Sequence, residues 1–195
     1  MYSRCILGVV SLLISTQFVI AQEIRFRQDS IFIFGGIFTK NPIGKSLLPL
    51  VPRYEDNFIL GAAFQRKVYD LGPLVLGWEV GGAGRFGESG SGEVWGSGWF
   101  RFVAFSNGNI VITPGMGIGL SAVTNTIGIE RQREIAANGN ATLLGHLSPE
   151  IAVSFRNMPN MSLVYRIHHR SGLFGHLFKM NEGHNAQVIG IRWSF

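Results

Sequence analysis

Beyond residue 22 the chain is written largely in period two. Near its end Ile189, Ile191, Trp193 and Phe195 alternate with Gly190, Arg192 and Ser194. Over 141–156, Leu143, Leu147, Ile151, Val153 and Phe155 share one parity, and His146, Ser148, Glu150, Ser154 and Arg156 share the other. Successive side chains of a strand point to opposite faces, so such a segment has one apolar and one polar side. Segments of this kind recur with Gly, Asn, Asp or Pro between them, at 30–38, 57–67, 73–84, 93–105, 109–123, 141–156, 161–171 and 185–195. A strand needs about 9–11 residues to cross a bilayer, and no stretch after residue 22 has the length of a membrane helix. The segments number eight, an even count that lets a sheet close on itself and leave no unpaired edge in hydrocarbon. The expected fold class is therefore all-β: an eight-stranded antiparallel transmembrane β-barrel with a polar interior.

The polar rows decide which face is turned in. A soluble, lipocalin-like barrel would bury its apolar face, and it has no use for a row containing Glu150, Arg156, Arg166 and Arg192. Parity places these four and Glu79 in the lumen, where unpaired charges are costly, so a paired network is expected. The segment 93–105 carries bulky residues on both faces and fits the pattern least well. The links alternate between short (68–72, 106–108, 157–160) and longer (39–56, 85–92, 124–140, 172–184). Short turns face the periplasm and long loops the exterior, which puts both ends of the barrel chain in the periplasm. Alternating apolar residues before a final Phe195 resemble the C-terminal signature of outer-membrane proteins.

Composition agrees. The 195 residues suffice for one domain; 46% are hydrophobic and only 15% charged, against about 25% charged in an ordinary soluble domain. The net charge of +5 is scattered between Gly-rich apolar segments, which disfavours nucleic acid and suits anionic lipid. Residues 1–21 read as a secretory signal: Arg4, an apolar stretch from Cys5 to Ile20, and Val19-Ile20-Ala21 before a cut at Gln22. The stretch is short for a membrane span and no basic stop-transfer cluster follows. The single cysteine, Cys5, leaves with it, so the domain 22–195 has neither a disulfide nor a thiolate nucleophile.

Several motifs lose their usual meaning in this setting. Gly82-Ala83-Gly84-Arg85-Phe86-Gly87 fits a dinucleotide fingerprint, but Glu88-Ser89-Gly90-Ser91-Gly92 follows where a helix N-terminus is required. Gly115, Gly117 and Gly119 share one face and spare room inside a narrow barrel. The sequons at Asn140 and Asn160 carry no weight in a bacterial outer-membrane protein. His168, His169, His176 and His184 do not read as a metal site, because the first two point to opposite faces of a strand.

The stretch with chemical content is Tyr165-Arg166-Ile167-His168-His169-Arg170-Ser171-Gly172. Leu163, Tyr165, Ile167, His169 and Ser171 share the outward face, which sets a His and a Ser side by side near the external end of a strand. Polar groups facing lipid are costly unless they reach the interface or a partner. One explanation is a serine-hydrolase arrangement, in which His169 takes the Ser171 proton and an acid orients the imidazole, Glu182 being the nearest downstream candidate. The other is that both residues simply occupy the wet end of the strand.

The C-terminal half resembles the lipid A 3-O-deacylase (PagL-like) family of outer-membrane barrels. The resemblance rests on Leu147-Ser148-Pro149-Glu150, on Tyr165 to Gly172, on Asn185 and on Gly190-Ile191-Arg192-Trp193-Ser194-Phe195; it covers residues 109–195, the earlier half agreeing in architecture alone. It implies a Ser/His/Glu esterase with Ser171 as nucleophile, His169 as base and Glu182 as orienting acid, and lipid A of lipopolysaccharide as substrate. It implies no metal and no cofactor, and it leaves room for a homodimer. The chain departs from the family at Gly172, where members carry Asn directly after the serine; a backbone N–H at Gly172 is then the candidate oxyanion donor. Asn181 and Asn185 are the alternatives to Glu182 as orienting or oxyanion-binding groups. The competing functional class is a non-enzymatic barrel with a structural or adhesive role carried by loops 39–56 and 124–140.

Overall fold

A computed structural model describes residues 26–49 and 52–195. The expected signal peptide, residues 1–21, lies outside the described residues. The strands are β1 (Asp29–Thr39), β2 (Tyr54–Asp70), β3 (Leu74–Phe86), β4 (Ser91–Phe102), β5 (Phe105–Asn107), β6 (Ile110–Val123), β7 (Leu143–Phe155), β8 (Met158–Ser171) and β9 (Glu182–Ser194); two helices, α1 (Ile43–Ser46) and α2 (Gly128–Ala137), lie in loops. Every ladder is antiparallel. β4 pairs with β6 and β9 with β1, which closes the eight long strands into a barrel. The three-residue β5 only extends the turn below β6.

The eight expected strands are all present, with shifted ends. β2 continues to Asp70, and the expected long link 85–92 shrinks to 87–90, because Arg85 and Ser91 remain paired across the hairpin. The Gly- and Ser-rich composition reads as a loop, yet the ladder supplies the backbone partners that such residues need.

Outside the barrel runs a belt of exposed apolar side chains, including Ile33, Leu60, Val80, Val94, Ile118, Ile151, Leu163 and Ile191. Toward the periplasmic end it is edged by Tyr69, Phe102, Phe105, Trp193 and Phe195. Apolar-out with flanking aromatics is the surface of a membrane barrel, not of a soluble one.

The lumen is packed rather than open, as an eight-stranded barrel has only enough interior for side chains. It is also less uniformly polar than the pattern suggests. Phe32 and Phe34 stack at 5.1 Å, and with Trp95, Val164 and Val188 they form an apolar layer between two charged ones. The bulky 93–105 segment is thereby explained: Trp95 and Trp99 point inward against Gly81 and Gly77 of β3, where any Cβ would overlap the indole rings.

Below that layer, Glu150 accepts from Arg101 at 2.7 Å, from Arg166 at 2.7 Å and from Arg192 at 2.6 Å. Glu79 accepts from Arg166 at 2.9 Å and from Trp95 at 2.7 Å, and Gln65 bridges Glu79, Arg101 and Arg192. Four of the five residues expected in the network are in it. Arg156 is the exception. It is exposed at the turn after β7 and donates to Ser106 at 2.8 Å, because the strand ends at Phe155 and parity stops governing direction there.

Above the apolar layer, loop 124–142 enters the external mouth. Glu130 of α2 is fully buried and pairs with Arg85 and Arg170, while Ile127 joins the apolar layer. His168 bonds Glu93 at 2.7 Å and His184 bonds Glu55 at 3.0 Å, both inside the barrel. The mouth is thus plugged by this loop, and chemistry at the external end has to be sought on the outer wall.

Candidate active site

The register of β8 and β9 fixes the site. His169 lies opposite Asn185, Ile167 opposite Gln187, and Ser171 opposite Glu182. His169 faces outward and His168 inward, and Ser171 shares the outer face of His169, as parity requires. Ser171 is the last residue of β8, at the external rim.

Burial departs from expectation. His169 is only 5% exposed and Ile167 1%, although both belong to the outer wall. The cause is the segment after β1. Residues 40–49, with α1 among them, form a strap folded down over β8 and β9, and the wall's polar groups bond to it. Asn185 Nδ2 donates to the Asn41 carbonyl at 2.7 Å. Gln187 Nε2 donates to the carbonyls of Ser46 at 2.8 Å and Leu48 at 3.0 Å. Thr39 meets Ser46 at 2.8 Å, and Tyr165 reaches the Leu47 carbonyl at 3.4 Å. A polar patch on a lipid-facing wall is thus satisfied without water.

The imidazole of His169 is hydrogen-bonded through Nδ1 to Asn185 Oδ1 in a short contact. Because the Asn185 amide nitrogen is committed to Asn41, its oxygen is the acceptor, so Nδ1 carries the proton and Nε2 keeps its lone pair. Glu182 interacts electrostatically with His169, and its carboxylate sits 3.5 Å from Arg133 of α2. Among the described residues, no side chain is hydrogen-bonded to Glu182 or to the Ser171 hydroxyl. The structure therefore brings His169 together with Asn185 by a hydrogen bond, sets Glu182 beside them, and leaves the hydroxyl free on the same face.

Gly172 departs from its expected role. Its N–H is directed at the Asn181 carbonyl, 3.3 Å away, so it is not free to serve as an oxyanion donor. A Cβ at this position would overlap the Met180 carbonyl, so the packing of this loop requires glycine here. Gly172→Ala is expected to lower stability by about 1–3 kcal/mol, read as a drop in thermal midpoint. An unchanged midpoint would mean that the 172–181 loop is not packed as described. This loop is strained elsewhere too, with positive φ at Leu173, Phe174, Phe178 and Lys179, a kind of strain that concentrates near functional sites.

On the flank away from the strap, His169 lies opposite Leu147 and Ser171 opposite Gly145 on β7. Beyond them Ile118 and Leu120 of β6 are exposed, at 57% and 52%. Leu173 packs over Gly145, so the apolar surface beside the site runs from Leu173 onto Leu120 and Ile118. Among the described residues no three His, Cys, Asp or Glu side chains converge as a metal site requires.

Fold, belt and closed ladder together define an outer-membrane β-barrel, located in that membrane. No family model and no curated protein matches the sequence. Among solved structures the chain is similar to the outer membrane enzyme PagL, 15% identical, with 85% of this chain and 99% of that one covered and a TM-score of 0.51. It is similar to a de novo designed transmembrane β-barrel, at 13% identity, 87% and 96% coverage and a TM-score of 0.50. The N-terminal β-barrel domain of Pseudomonas aeruginosa OprF follows at 8% identity, 88% and 100% coverage and a TM-score of 0.49. At such identities the first two likenesses support the fold alone and leave the function to be argued from the site.

Proposed function

We propose that the protein is a serine esterase of the outer membrane that hydrolyses an ester-linked acyl chain of lipid A, the 3-O chain in the reading that the motif resemblance favours. The observation that carries this is the His169–Asn185 hydrogen bond on the outer wall, on the same face as the free Ser171 hydroxyl. The imidazole is buried beneath the strap, and Asn185 fixes its tautomer on the wall that carries Ser171.

In the mechanism, His169 Nε2 takes the proton as Ser171 Oγ bonds to the ester carbonyl carbon. The sugar C–O oxygen then leaves and receives that proton, giving an acyl-serine and a free sugar hydroxyl. Water, deprotonated by the same nitrogen, cleaves the acyl-serine and releases a fatty acid. The lipid enters sideways from the outer leaflet over Ile118, Leu120 and Leu147. No metal or cofactor is called on.

Orientation is shared in this account. Asn185 holds the tautomer, and the Glu182 carboxylate favours the imidazolium that forms. Asn185→Ala is expected to lower kcat roughly 100-fold with little change in KM, and Glu182→Gln to lower it less, roughly tenfold. Purified barrel acting on lipid A in detergent, with released fatty acid quantified, tests both. Wild-type kcat in Asn185→Ala would remove Asn185 from the mechanism, and no release by the unaltered protein would remove the esterase itself.

A further inference from the structure

The periplasmic end of the lumen holds a cavity of about 240 Å³, lined among others by Arg27, Arg101, Arg156, Arg192, Thr113 and Ser162. We propose that this vestibule binds a small dissolved oxyanion of the phosphate or sulfate class. It lies at the opposite end of the barrel from Ser171, and nothing in the esterase reading uses it.

Charge in the lower network is unbalanced. The lower network sets three guanidinium groups, Arg101, Arg166 and Arg192, against two carboxylates, Glu79 and Glu150. One buried positive charge is left over, and a low-dielectric interior makes such a surplus expensive unless a counter-charge sits beside it. The upper network carries three carboxylates, Glu55, Glu93 and Glu130, against Arg85 and Arg170. The apolar layer of Phe32, Phe34 and Trp95 separates the two, and His168 and His184 already bond Glu93 and Glu55. The surplus is therefore local to the cavity.

The donors are in place as well. Arg101 and Arg192 are 4% and 5% exposed, and both line the cavity. Arg101 spends Nε and Nη2 on Glu150 and Gln65, and Arg192 spends the same two atoms on Gln65 and Glu150. Each keeps an Nη1 with no partner among the described residues. Forked N–H groups held rigidly by their other bonds suit an oxyanion. Arg27 and Arg156 add positive potential at the rim, and Ser162 and Thr113 bring hydroxyls to the wall.

Calorimetric titration of the folded barrel, in maltoside detergent and a low-chloride buffer, with inorganic phosphate tests the site. Saturable binding of one phosphate per barrel is expected, with a thermal midpoint that rises with phosphate. Ser162 lies directly opposite Arg192, so Ser162→Asp places a carboxylate beside that guanidinium. This variant is expected to bind phosphate at least tenfold more weakly and to melt higher than wild type without phosphate. Should it not fold, the rim variant Arg27→Gln/Arg156→Gln, whose side chains lie outside the network, is expected to weaken binding several-fold. No saturable binding by wild type, or wild-type affinity in whichever variant folds, overturns the proposal. Competition by short-chain phosphatidylglycerol would also overturn it, since a lipid headgroup would then be the occupant.

Discussion

Ser171→Ala should stop acyl release from lipid A, by about 1,000-fold or more, while leaving the barrel folded. Removing a nucleophile costs nearly everything that the catalytic groups achieve together. The fold should not notice, because the hydroxyl has no hydrogen-bonded partner among the described side chains and Ser171 ends its strand. His169→Asn should be as inactive, since no other base occupies that face. Folding is checked by the slower migration of heated against unheated protein on gels, and activity by the 3-hydroxy fatty acid released. A folded Ser171→Ala protein that releases fatty acid at the wild-type rate would refute the mechanism.

Glu150→Ala should have the largest effect on stability. One carboxylate neutralises parts of Arg101, Arg166 and Arg192, and all four groups are buried. Removing it leaves three guanidinium groups facing Glu79 alone, a loss of about 3–5 kcal/mol by comparison with other broken buried pairs. The urea midpoint for unfolding from lipid vesicles should fall accordingly. Arg156→Ala, at the exposed turn, should leave that midpoint nearly unchanged. Equal shifts in the two variants would mean that the lower network does not hold the barrel together.

The contrast between Glu150 and Arg156 marks the reach of the sequence. Period two assigns faces correctly as long as the strand lasts, which is why Glu79, Glu150, Arg166 and Arg192 are found inside and the outward parity of His169 and Ser171 holds. It fails one residue past Phe155, where nothing in the pattern announces the strand end. It is also silent on what loops cover. Ile167 and His169 have lipid-facing parity yet are buried, because a strap forty-odd positions from the chain start folds over them. The Asn185–Asn41 bond that orients the imidazole joins residues 144 positions apart, a relation that no local spacing encodes. Asn181 and Asn185 were both legible as alternatives to Glu182, but only the register of β8 and β9 sets Asn185 opposite His169. Glu130, which ties the α2 plug to Arg85 and Arg170, had no comparable signal: its helix carries no strong apolar stripe, and its partners lie on distant strands.

Whether the His169 and Ser171 face acts on lipid A is read from mass spectrometry of lipid A from otherwise identical cells expressing the wild-type protein, expressing Ser171→Ala, or lacking the protein. Lipid A lighter by one ester-linked 3-hydroxyacyl chain is expected with the wild-type protein alone, and full-length species in the other two strains. Identical lipid A in all three, with the wild-type barrel demonstrably folded in the outer membrane, would contradict it.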